Sequence, residues 1–183
     1  MTDNVKQFIE ENITTIEQEA ISYCDNLEKI TVPFVGGSIS SNTFFGYIFG
    51  ASSYSENNVY TPRSLHEVTI KDGATSISSY AFYDCAYIKT VKIPSGIKTI
   101  NSNAFSGCSN LTNITLSKDL TSVSSNAFNN CSKLINVYYE NTIEEWCNIS
   151  FADYCSNPME FATSFYMLDE NNEYYEVTEI VIP

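Results

Sequence analysis

Six cysteines and a single histidine are the side chains of this 183-residue chain best suited to nucleophilic, redox or metal chemistry. Cys85, Cys108 and Cys131 recur every 23 residues, and Cys24 and Cys155 fall at nearly equivalent places. Zinc needs four ligands converging on one point, usually supplied by C-x-x-C pairs. The nearest cysteine pair here is Cys147 and Cys155, so no metal is expected. Equivalent residues of stacked coils lie ~4.8 Å apart. That is close enough for a disulfide, but parallel Cβ vectors leave the torsion wrong. The thiols are therefore expected to be free, buried and apolar in behaviour. His66 has no neighbouring nucleophile and makes no triad. Glu144 and Glu145 are adjacent and point in different directions, which disqualifies them as a catalytic pair. "FVGGS" lacks the lysine and spacing of a phosphate loop. The expectation is a chain that is not an enzyme and holds no cofactor.

The cysteines owe their spacing to a repeat. "LHEVTIKDGATSISSYAFYDCAY", "IKTVKIPSGIKTINSNAFSGCSN" and "LTNITLSKDLTSVSSNAFNNCSK" follow one another without a gap. Apolar residues fill the first, fourth and sixth places: Leu65, Val68, Ile70; Ile88, Val91, Ile93; Leu111, Ile114, Leu116. Mostly apolar residues return at the tenth and thirteenth places, as in Ile97 and Ile100 or Leu120 and Val123. Ala81-Phe82, Ala104-Phe105 and Ala127-Phe128 come next, preceded by serines whose hydroxyls can cap a turn. A fixed period in the twenties specifies a solenoid. Side chains alternate along a strand, so the fourth and sixth places face inward and the third and fifth outward. One unit cannot bury its apolar side alone, and stacking supplies the core. The expected fold is a leucine-rich-repeat solenoid, with a parallel sheet on one face and short turns or single helical turns on the other.

"L-x-x-V-x-I-P-x-x-I-x-x-I-x-x-x-A-F-x-x-C" resembles the leucine-rich repeat of BspA-like surface proteins, over nearly the whole chain. "VPFVGGSISSNTFFGYIFGASSY" and "TIEEWCNISF" resemble insertions of some members. The resemblance implies a curved solenoid at the cell surface or secreted, often within a longer bacterial or parasite protein, acting in adhesion. No leader is seen at Met1-Thr2-Asp3-Asn4, which makes the cytoplasm the alternative location.

The organisation expected is a cap helix over residues 4–12 or so plus a half repeat within 1–26, and a repeat at 27–64 with a 15-residue insertion. Regular repeats follow at 65–87, 88–110 and 111–133, then a modified repeat at 134–157. A hairpin around Asn171-Asn172 and a terminal repeat strand complete residues 158–183. Self-association through that strand edge is a further expectation.

Hydrophobic residues make up 43% of the chain and the net charge is −13, from nine basic against 22 acidic residues. Nucleic acid is excluded as a partner by that balance. No apolar run is long enough to insert in a bilayer. The outward row offers Thr69, Lys92, Asn113, Thr115, Asn136 and Tyr138 as a candidate binding face for a protein or glycan, with Tyr138 its only large ring. Phe44, Phe45 and Tyr47 of the insertion are candidate secondary contacts, unless those rings shield the core. The alternative is a structural spacer in a larger surface protein, with no ligand of its own.

Overall fold

The computed structural model describes residues 7–8, 13–71, 73–169 and 171–179. Its strands run in chain order as β1 (Gln7–Phe8), β2 (Lys29–Val32), β3 (Glu67–Ile70), β4 (Ser76–Ile77), β5 (Thr90–Lys92), β6 (Thr99–Ile100), β7 (Asn113–Leu116), β8 (Ser122–Val123), β9 (Asn136–Tyr139), β10 (Ser150–Phe151), β11 (Ser164–Leu168) and β12 (Tyr174–Glu176). The wide sheet has the order β1-β2-β3-β5-β7-β9-β11-β12, and a second sheet has the order β10-β8-β6-β4. All pairs are parallel except β11 with β12. The chain is thus a leucine-rich-repeat solenoid.

Equivalent places of successive coils pair in register: Thr69 with Lys92, Thr115 with Tyr138. The fourth and sixth places are buried throughout, from Val68 and Ile70 to Val137 and Tyr139. The second sheet is an addition to the sequence expectation. The thirteenth-place residues Ile77, Ile100 and Val123 lie in short strands rather than turns.

The return segment contains no helix in the regular coils. Instead each Ala-Phe pair sits between two left-handed residues four apart: Tyr80 and Asp84, Asn103 and Gly107, Asn126 and Asn130, all with φ of 53–80°. Asn and Gly adopt this region at low cost. At Gly107 a Cβ would also overlap the Asp84 carboxylate. Backbone hydrogen bonds stitch this face too, from Phe82 N–H to the Ala104 carbonyl (2.7 Å) and from Phe105 N–H to the Ala127 carbonyl (2.8 Å).

That ladder locates the insertion. Phe45 N–H donates to the Ala81 carbonyl at 2.8 Å, so Phe45 occupies the Phe place of its own coil. Leu65 follows it twenty positions later, whereas Ile88 follows Phe82 after six. The extra chain therefore lies between Phe45 and Leu65. It folds as 3-10 turns at Phe45–Phe49 and Tyr54–Glu56 and helix α1 (Asn57–Tyr60). Tyr54 stacks on Tyr80 at 4.2 Å and meets Tyr83 edge-on at 5.6 Å. The fully buried Asn57 accepts from Gly46 N–H at 2.7 Å and donates to the Tyr83 carbonyl at 3.0 Å.

Three expectations change at the ends. Gln7–Phe8 is a strand paired with Ile30 and Thr31, not part of a cap helix. Edge pairing with β2 satisfies its backbone, which prevails over the helical spacing of its apolar residues. The rest of the expected helix lies outside the described residues. The modified repeat is longer than read: β11 pairs with β9 from Asn136↔Ser164, 28 positions apart, so this coil extends to Phe161. Cys155 takes the Ala place, since Phe128 N–H donates to its carbonyl at 2.9 Å, and buried Ser156 takes the Phe place. Trp146 packs elsewhere in this coil, against Phe165 (4.6 Å), Tyr139 (5.3 Å) and Phe151 (5.4 Å). The hairpin turns through Asn172 at φ 60°, and its second arm is β12, antiparallel to β11. The expected terminal strand falls mainly on residues 180–183, outside the described residues.

Candidate binding face

The outward side chains of the wide sheet form three groups. At one end Glu67 bridges two coils, with its carboxylate 2.7 Å from Lys29 Nζ and 3.4 Å from Lys92 Nζ. The hydrogen bond from Lys29 holds the Glu67 carboxyl below the usual range, against a counteracting desolvation. Lys92 is thus a partner of Glu67, while half-buried Thr69 lies between it and Thr31 in the ladder. In the middle is an amide row. Asn136 Nδ2 donates to Asn113 Oδ1 at 2.7 Å, and Asn113 Nδ2 donates to Thr112 Oγ1 at 2.9 Å and Thr90 Oγ1 at 3.4 Å.

The third group is aromatic. Tyr138 stacks on Tyr166 at 4.8 Å with an interplanar angle of 18°, and Tyr174 meets Tyr138 edge-on at 4.9 Å. Tyr174 Oη donates to Glu140 Oε1 at 3.0 Å, and its hydroxyl interacts with Thr115. Burial, together with Glu140, pushes the Tyr174 phenol up. Burial also raises Tyr138, with Tyr166 as a smaller cause. Tyr138 is therefore not the only large ring on this face: β11 and β12 add two more. The signal was available in "SFYML", where Phe165 and Met167 repeat the fourth and sixth places and put Tyr166 in register with Tyr138.

Of the three further candidate rings, only Tyr47 lies within the extra chain, and their exposures differ. Phe45 is fully buried and packs on Phe82 at 5.0 Å, so it cannot present itself to a partner. Half-buried Phe44 and Tyr47 pack edge-on against each other at 5.7 Å. His66 spends its Nδ1–H on the Ser64 carbonyl at 2.9 Å.

The cysteines are a structural ladder. Cys108 Sγ donates to the Phe82 carbonyl at 3.0 Å and Cys131 Sγ to the Phe105 carbonyl at 3.2 Å. Burial pushes the Cys131 thiol up to about 12 and raises Cys85 and Cys108 as well. Reactivity follows the thiolate, so these three should be inert in the native protein. Cys147 is exposed, and Cys24 and Cys155 are half-buried. A thiol titration is expected to find Cys147 reacting fast, Cys24 and Cys155 slowly, and all six only after denaturation without reductant. Fewer than six after denaturation would reveal a disulfide. Among the described residues no cluster of three or more His, Cys, Asp or Glu could hold a metal ion, and no helix is long and apolar enough to cross a membrane.

The model of the BspA type leucine rich repeat region matches this sequence in six copies, over residues 2–50 and 53–174. Two solved structures share the fold. One is a leucine rich cell surface protein from Faecalibacterium prausnitzii A2-165, 23% identical, with a TM-score of 0.55 over 81% of this chain and 35% of that one. The other is the Leucine Rich Repeat protein of T. pallidum, 17% identical, with a TM-score of 0.50 over 82% of this chain and 72% of that one. The chain thus spans about a third of the first of these. No curated protein matches.

Proposed function

Since this chain belongs to the BspA-type leucine-rich-repeat family, we propose that it is a non-enzymatic binding or adhesion module of a cell-surface protein, holding a protein or glycan on the outward face of its wide sheet. The observation that carries this reading is the group Tyr138, Tyr166 and Tyr174, bordered by Thr115, Asn113 and Asn136. Aromatic rings give contact area at low entropy cost. They stand here beside hydrogen-bonding groups on a rigid ladder, and Lys92 and Thr69 extend the same face. Phe44 and Tyr47 are secondary contacts. A surface location is part of this reading, in keeping with the similar F. prausnitzii protein, a leucine rich cell surface protein.

The test is a binding screen against matrix proteins and glycans, repeated with Tyr138→Ala and His66→Ala. A ligand weakened at least about tenfold by the first and unchanged by the second supports the face. The opposite pattern overturns it. The spacer reading draws on a specific observation of its own: Glu67 with its lysines and Asn113 with Asn136 already satisfy one another. A broad screen without any ligand would make that the better reading.

A further inference from the structure

The aromatic group has one open ring face, and what lies opposite it selects a ligand chemistry. Tyr138 and Tyr166 sit on adjacent strands, and their ring separation of 4.8 Å equals the spacing between strands. The rings therefore stack along the direction from strand to strand and present their edges, not their faces, to solvent. The Tyr138 face toward β11 is covered by Tyr166. The other face of Tyr166 looks toward β12, and among the described residues no ring packs against it.

Glu176 stands across from it. Tyr166 and Glu176 are directly paired in the antiparallel ladder, which puts their Cβ atoms about 4.5–5.5 Å apart on one side of the sheet. That side is the outward one, because Tyr174, two residues before Glu176 on the same strand, reaches Tyr138 and Glu140. Glu176 is exposed and has no cationic partner among the described residues. Glu140 lies on the same face and is likewise without one. The nearest lysine of the outward row, Lys92, is on β5, three strands from β11, and is bound to Glu67. The other charged residues of the hairpin sequence, Asp169, Glu170, Glu173 and Glu179, are acidic, as is the chain at −13.

Building on the sheet-face reading above, we propose that Tyr166 and Glu176, with Glu140 beside them, form a docking site for a lysine or arginine side chain of a basic protein segment. A cation over a tyrosine face within about 6 Å gains from the ring quadrupole, more so as it is desolvated. Glu176 closes the ion pair from the opposite side. A pyranose needs a broad ring face turned out to solvent, whereas the one uncovered face here looks along the sheet toward β12 and Glu176. An anionic polymer meets only carboxylates here.

The probe is a fluorescent peptide of six arginines spaced by glycines, titrated at low and at physiological salt. Glu176→Gln changes no packing and should raise its Kd at least about tenfold, and Tyr166→Leu, which keeps an apolar body, should do the same. Glu144→Gln removes an equal charge from the exposed helix at Ile143–Cys147 and should change the Kd less than about twofold. If Glu144→Gln weakens binding as much as Glu176→Gln, bulk charge alone attracts the peptide and the site is refuted. Absence of binding refutes it too. A glycan that depends on Tyr138 but ignores Glu176→Gln would overturn the cation site and leave the sheet-face reading standing. Peptide binding indifferent to both Tyr138→Ala and Tyr166→Leu would overturn both.

Discussion

Replacing Phe105 with alanine should cost the fold about 3–5 kcal/mol, the combined transfer and cavity penalty of a buried phenyl. Phe105 is fully buried and stacks on Phe82 at 5.1 Å and on Phe128 at 5.4 Å, with both ring pairs nearly parallel. The stack begins at Phe45, so the substitution breaks it at an interior link. In a solenoid each coil touches only its neighbours, and stability sums over those interfaces. A void at Phe105 weakens two of them at once. A melting temperature lower by roughly 6–20 °C is expected for a chain of this size. Lys92→Ala is the control. Its side chain is 52% exposed with the ammonium 3.4 Å from Glu67, and such surface pairs contribute about 0–1 kcal/mol. Equal melting temperatures for the two variants would mean that the inward and outward faces have been interchanged.

The contrast between these two positions was legible in the sequence because burial follows the 23-residue period. Leu65, Val68 and Ile70 recur as Leu111, Ile114 and Leu116, and a strand's two-residue alternation assigns each its face. The thiol ladder was legible for the same reason. What escaped was register wherever the period breaks. "Phe44-Phe45" does not look like Ala-Phe, yet a backbone hydrogen bond to Ala81 puts Phe45 in that slot. Cys155 looks like the next rung of the cysteine ladder, but the hydrogen bond from Phe128 sets it in the Ala place. Residue type alone cannot reveal such shifts, because the pairing that fixes them joins residues 27 and 36 positions apart.

The same breaks hid two thirds of the aromatic group. Tyr138 was visible as an outward residue of a recognisable strand. Tyr166 was not, because "FATSFYML" reads as the first arm of a hairpin rather than as a repeat strand. It is both: β11 pairs parallel to β9 on one side and antiparallel to β12 on the other. Tyr174 comes close to Tyr138 only through that reversal. The site proposed at Tyr166 and Glu176 thus exists because one strand closes the parallel stack and opens the hairpin.

Asn57→Ala should destabilise the protein by about 2–6 kcal/mol, the sum for two buried backbone groups left unpaired. Asn57 is wholly buried and holds the insertion to two places: Gly46 in its own turn and Tyr83 in the next coil. Gly46 approaches so closely that a Cβ there would sit 2.8 Å from Asn57 Oδ1, so no larger group can move in to replace the amide. Hydrogen exchange at the Gly46 amide should rise along with the loss of stability. Asn57→Asp separates hydrogen bonding from packing, since it keeps the shape. When protonated, the new carboxyl can still accept from Gly46 and donate to Tyr83. When ionised, it is a buried charge facing a carbonyl. Burial raises its pKa in the folded state above the value in the unfolded chain. Such a group favours folding below its unfolded pKa and loses that contribution as pH rises through the folded one. The aspartate variant should therefore melt close to the parent in acid and fall progressively below it toward neutrality. The alanine variant should keep a constant deficit. A deficit for the aspartate variant that does not change with pH would show that the side chain reaches water, and that the insertion is not fastened where these two hydrogen bonds place it.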